Sequence, residues 1–127
     1  MSIMKKSAAT IAFAAALAMS SLVQAHPKLL SSSPADGDSG AAPANIELHF
    51  SENLMTQFSG AKLIMTDMPG MPNSPMGVKA KVSGGSDPKT MVITPASALT
   101  AGTYKVEWRA VSSDTHPITG NVTFKVK

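Results

Sequence analysis

From residue 45 onward the sequence places apolar side chains at every second position, in runs too short to make a helix. In NIELHF (45–50), Ile46, Leu48 and Phe50 point one way while Glu47 and His49 point the other. GVKAKV (77–82) sets Val78, Ala80 and Val82 against two lysines, TYKVEWR (103–109) sets Tyr104, Val106 and Trp108 against Lys105, Glu107 and Arg109, and NVTFKVK (121–127) repeats the pattern with Val122, Phe124 and Val126. A period of two puts one side of an extended chain in a core and the other in water. AKLIM (61–65) and TMVIT (90–94) are more continuously apolar and read as more deeply buried strands. Between the runs lie SPADGDSGAAP, SGGSDPK, PASALTAG and SSDTHPITG, which are turn sequences. No segment carries a helical stripe. Six or seven short antiparallel strands in roughly 100 residues predict an all-β Greek-key sandwich or barrel.

The first 25 residues do not belong to that pattern. Lys5 and Lys6 precede a short apolar run, ATIAFAAALAM, and VQA places small residues before a cut. That is the grammar of a cleaved secretory signal, 1–25, and the run is shorter than the roughly 20 residues a membrane span needs. Cleavage after Ala25 leaves one domain, 26–127, beginning at His26 and large enough for a single core. Removing Lys5 and Lys6 from eleven basic residues leaves nine against eight acids, so the mature chain is close to neutral. With no basic stripe and five aromatics after residue 25, nucleic acid is not an expected partner. The chain has no cysteine, which removes disulfides, thiolate metal ligands and a lipid-anchored terminus together.

MTDMPGMPNSPM (65–76) holds Met65, Met68, Met71 and Met76 among three prolines and a glycine. Proline rings and missing amide donors make this a loop, and loops run over the surface. Packing is the plain explanation for one or two such methionines. Four in twelve residues, out of six after residue 25, favour metal binding instead. Neutral thioethers select a soft ion, Cu(I), and need no deprotonation. Met55 and Met91 lie in or beside strands and read as core.

The histidines suggest a second, harder site. An N-terminal His26 would offer its amine and ring nitrogen to one ion in a six-membered chelate, and Pro27 stops the chelate there because it has no amide proton to lose. His116 sits in SSDTHPITG, two residues after Asp114. Two imidazoles, an amine and a carboxylate suit Cu(II), with Zn(II) lower in the affinity order. Taken singly, Asp114 reads as a turn cap and His116 as a solvated loop residue. His49 reads as a solvent-facing strand histidine. Glu52 reads first as a surface charge and second as an extra Cu(II) contact.

HPKLLSSSPADG, IELHFSENL, FSGAKLIMT, MPGM and SPM, DPKTMVITP, LTAGTYKVEWRAVSSDTHPITG and the closing FKV together resemble the CopC family of periplasmic copper-resistance proteins. The resemblance covers essentially all of 26–127. It implies a cupredoxin-like Greek-key barrel that carries copper and is not an enzyme, with Cu(II) at His26, Asp114 and His116 near one end. It also implies Cu(I) at Met65, Met68, Met71 and Met76 near the other, and hand-over to a copper-transport membrane protein or other periplasmic copper proteins. One position departs from the family: Asn73 stands where close members carry a histidine before SPM, and an amide is a poor Cu(I) ligand.

Two other functions fit parts of the sequence. A terminal-histidine site on a β-sandwich also resembles copper-dependent oxidative enzymes acting on polysaccharides, although this chain is short and poor in the aromatics of a sugar-binding face. A metal-free interaction module is the other alternative.

Overall fold

The computed structural model describes residues 26–70 and 75–127. Among the described residues nine strands follow one another: β1 (Leu29–Ser33), β2 (Ser39–Gly40), β3 (Ile46–Phe50), β4 (Gly60–Asp67), β5 (Met76–Val78), β6 (Ala80–Gly84), β7 (Thr90–Pro95), β8 (Gly102–Val111) and β9 (Pro117–Val126). They form two sheets. One has four strands in the order β1-β3-β7-β6, the other five in the order β2-β9-β8-β4-β5. Among the described residues there is no helix.

The alternation read from the sequence sets the inner faces. Ile46, Leu48, Phe50, Met91 and Ile93 come from the first sheet and meet Leu63, Met65, Tyr104, Val106, Trp108, Ala110, Val122, Phe124 and Val126 of the second in one buried cluster. Each fully buried Ile, Leu, Val or Phe contributes about 1.5–3 kcal/mol relative to exposure, so this double layer dominates the stability. Phe50 and Trp108 meet edge to face across the sheets at 5.1 Å between centroids. Within the second sheet Tyr104 stacks on its register partner Phe124 at 5.5 Å, and its hydroxyl donates to the carbonyl of Thr100 at 2.6 Å.

Four details differ from the sequence reading. The run 77–82 is not one strand: it breaks at Lys79, β5 pairing with β4 in the five-stranded sheet and β6 with β7 in the four-stranded one. The chain changes sheets there, which a continuous alternation cannot reveal, and Val82 ends up exposed. β1 and β2 lie in stretches with no apolar alternation, and β2 pairs with β9 in parallel rather than antiparallel. Strand β4 runs on through Asp67, so Met65 is a buried core residue and not part of a surface loop. Met91 is core as expected, while Met55 lies half-buried in the turn after β3.

Candidate metal centre

The longest strands, β8 and β9, pair over ten residues from Gly102↔Val126 to Val111↔Pro117. The five residues between them, 112–116, therefore form the tip of a rigid hairpin. Thr115 adopts a positive φ of 63°, its N–H donating to the carbonyl of Ser112 at 2.9 Å. A β-branched residue in the left-handed region is uncommon and strained. The conformation folds the tip back so that Asp114 and His116 project from the same end of the barrel.

His26 reaches that end from the start of the domain. Pro27 is fully buried. Lys28 is tied to Ser51 in both directions, its N–H donating to the Ser51 hydroxyl and its carbonyl accepting from the Ser51 N–H, each at 2.9 Å. From Leu29 the chain enters β1 beside Phe50 of β3. A backbone fixed one and two residues beyond His26 leaves that side chain little choice of position.

The three side chains converge on one oxygen. Nδ1 of His26 lies 2.6 Å from Oδ2 of Asp114, Nδ1 of His116 lies 3.9 Å from the same atom, and the two rings are 5.7 Å apart. One donor atom from each of the three lies within 4.8 Å of the others. His26 and His116 are exposed, whereas the Asp114 side chain is 16% exposed. Burial works against ionisation of Asp114, but the backbone N–H of His116, the Ser112 hydroxyl and the two nearby imidazoles outweigh it and hold its carboxyl below the ordinary value. A carboxylate that stays ionised between two imidazoles is a ready cation site. Nδ1 of His26, the ring atom that faces Asp114, is also the one that closes a six-membered chelate with a terminal amine.

Glu52, the proposed extra contact, is not brought into this group; among the described residues the group comprises His26, Asp114 and His116. His49, expected to face solvent, is instead half-buried, its Nδ1 3.1 Å from the Thr90 hydroxyl across the β3–β7 pair. The sequence reading missed Ser112, which is 2% exposed and donates from Oγ to Oδ1 of Asp114 at 3.1 Å. No sequence signal marks it, because this side-chain pairing depends on the geometry of the turn.

Met65, Met68 and Met76 lie at the opposite end. Met65 and Asp67 pair with Tyr104 and Thr103 at the start of β8, whereas Asp114 follows its end. Eight residues of strand at about 3.3 Å each separate the two ends by roughly 26 Å. Met65 is opposite Met76 in the β4–β5 register, which puts both side chains on one face. Met76 is 52% exposed and Met68 half-buried against the core. Met71 and Asn73 lie outside the described residues.

Residues 29–127 match the model of the CopC domain. The chain belongs to the CopC family. It is similar to copper resistance protein C of Pseudomonas syringae pv. tomato, with 80% identity over 115 residues and 91% of each chain covered. Copper resistance protein C of Escherichia coli is 58% identical over 128 residues, the whole of both chains. Two solved CopC-like structures share the fold. PcoC, a methionine-rich copper resistance protein from Escherichia coli, superposes with a TM-score of 0.76 at 63% identity, covering 81% of this chain and 100% of its own. CopC from Methylosinus trichosporium OB3b gives 0.62 at 26% identity, covering 80% and 94%. The all-β double-sheet architecture expected from the alternation is thus that of the CopC family.

Proposed function

We propose that this protein is a periplasmic copper carrier of a copper-resistance system, binding its cargo without catalysis. The observation that carries the reading is the convergence of His26 and His116 on Oδ2 of Asp114. Removal of residues 1–25 would convert the His26 nitrogen from an amide into an amine, adding a fourth donor to two imidazoles and a carboxylate. That set suits Cu(II). The half-exposed position of the group favours loading and release over permanent retention. The copper-resistance relatives support the same cargo.

Cu(I) would be taken at the other end by thioethers. Met68 and Met76 are within reach of solvent, and Met71 lies between them in sequence. Met65 is the base of this set, beside Met76 in the register but turned into the core. A carrier with separate ends for the two oxidation states can meet different partners at each, a copper-transport membrane protein or another periplasmic copper protein. No helix among the described residues is long and apolar enough to cross a membrane.

The test is the state of the N-terminus. Mass spectrometry of exported protein is expected to give a chain starting at His26, and a variant with one residue retained ahead of His26 is expected to bind Cu(II) far more weakly. Equal Cu(II) affinity with and without that extra residue would sink the chelate.

A further inference from the structure

We infer that Ser112 is a positioning residue that makes Asp114 a one-oxygen ligand, an inference that rests on the Cu(II) reading of the His26, Asp114 and His116 group. Each carboxylate oxygen offers about two lone-pair directions. On Oδ1 two donors are already in place, the Ser112 hydroxyl at 3.1 Å and the His116 N–H at 3.2 Å. Among the described residues Oδ2 faces the imidazoles, 2.6 Å from Nδ1 of His26 and 3.9 Å from Nδ1 of His116. The two oxygens of one carboxylate are thus divided, one held by the hairpin and one turned to the ion.

Ser112 suits that task because it is buried and tied into the turn. It is 2% exposed at the end of β8, and its carbonyl closes the turn by accepting the Thr115 N–H at 2.9 Å. The left-handed backbone of Thr115 contributes from the other side. It returns the chain so that the His116 N–H points back at Oδ1, while the Thr115 hydroxyl donates to the Asp114 carbonyl at 2.6 Å. A two-oxygen grip on copper would require both bonds to Oδ1 to break. With them intact, the carboxylate plane is fixed before the ion arrives, and Asp114 occupies one coordination position, leaving others for the two imidazoles and the amine. Partners that orient a metal ligand typically govern about 10–100-fold of affinity.

The test uses the chain beginning at His26. In Ser112→Ala, Cu(II) affinity read by chelator competition is expected to fall roughly 10–100-fold. The electron paramagnetic resonance spectrum of bound Cu(II) should change as the carboxylate rotates, with Cu(I) affinity unchanged. Ser112→Thr, which keeps the hydroxyl, is expected to restore both affinity and spectrum; equal loss in both variants would mean lost packing and overturn the inference. A native spectrum and affinity in Ser112→Ala would overturn it too. If the native chain takes up no Cu(II), the carrier reading and this inference fall together, an outcome distinct from either of those. Should Ser112→Ala not fold, Thr115 gives a second route on an exposed turn. Thr115→Gly keeps the positive φ and should bind like the native chain. Thr115→Pro fixes φ near −65°, moves the His116 N–H off Oδ1 and should weaken Cu(II); native affinity in that variant would also refute the inference.

Discussion

Gly120 is where the two longest strands test their fit. It is the register partner of Trp108, and the indole ring lies over it. A Cβ added at Gly120 would stand 2.4 Å from Cζ2, 2.8 Å from Cε2 and 3.1 Å from Cη2 of that ring. Carbon atoms pack best at about 3.5–4.0 Å, so Gly120→Ala needs a displacement of about 1 Å. Trp108 is 7% exposed and packed against Phe50, so shifting it disturbs the core. Overpacking of this kind costs about 1–3 kcal/mol, and the rigidity of the ring places this case in the upper half. In a domain of about 100 residues each kcal/mol lowers Tm by about 4–8 °C, giving a fall on the order of 10–20 °C. The assay is urea denaturation followed by far-ultraviolet circular dichroism, which also reads variants that lack Trp108, the sole tryptophan. Combining Gly120→Ala with Trp108→Phe isolates the clash, because the smaller ring removes the atoms that collide; the double variant should lose less than the sum of the singles. Stability of Gly120→Ala within about 0.5 kcal/mol of native, the range of an ordinary surface change, would refute the packing argument.

Replacing His116 with alanine should abolish most of the roughly 2.7 kcal/mol of stability that a ligand at a hundred times its dissociation constant confers, measured by denaturation with and without Cu(II), and should leave Cu(I) uptake intact. Met68→Leu with Met76→Leu should cost under about 1.5 kcal/mol, as volume-conserving swaps do, yet weaken Cu(I) in a competition titration with a chromophoric chelator; unchanged Cu(I) retention would return those residues to packing. Asp114 holds its proton less tightly folded than unfolded, so its contribution to stability is present above the unfolded value of about 3.9 and is lost as pH falls through the lower folded value. Metal-free denaturation curves between pH 5 and pH 2 should therefore lose less stability in Asp114→Asn than in the native chain.

The strands whose two faces differ were legible because burial in a sandwich is written residue by residue. Ile46, Leu48 and Phe50, then Tyr104, Val106 and Trp108, alternate in the sequence and are all buried in the fold. What alternation cannot carry is a change of sheet. Val78 and Val82 follow one pattern yet belong to strands on different layers, and only the long-range pairing with Leu63 and Ile93 separates them. Leu29–Ser33 is a strand by virtue of its partner β3 rather than its own side chains. For the candidate metal centre, residue chemistry named His26, Asp114 and His116, which come together across 88 residues of chain only through the docking of Pro27 and the β8–β9 hairpin. The prolines of 69–75 suggested a loop that begins at Met65, but the hydrogen-bonding register with β8 holds the strand two residues further. Ser112 escaped notice because its role depends on which oxygen of Asp114 faces the hairpin, a matter of turn geometry.

The most direct test of the account is metal analysis of the chain starting at His26, titrated separately with Cu(II) and Cu(I) and passed through gel filtration. Two independent sites at opposite ends of the barrel predict one equivalent of each ion retained, with Cu(II) lost in His116→Ala and Cu(I) unaffected by that change. Retention of neither ion, or parallel loss of both in His116→Ala, would contradict it.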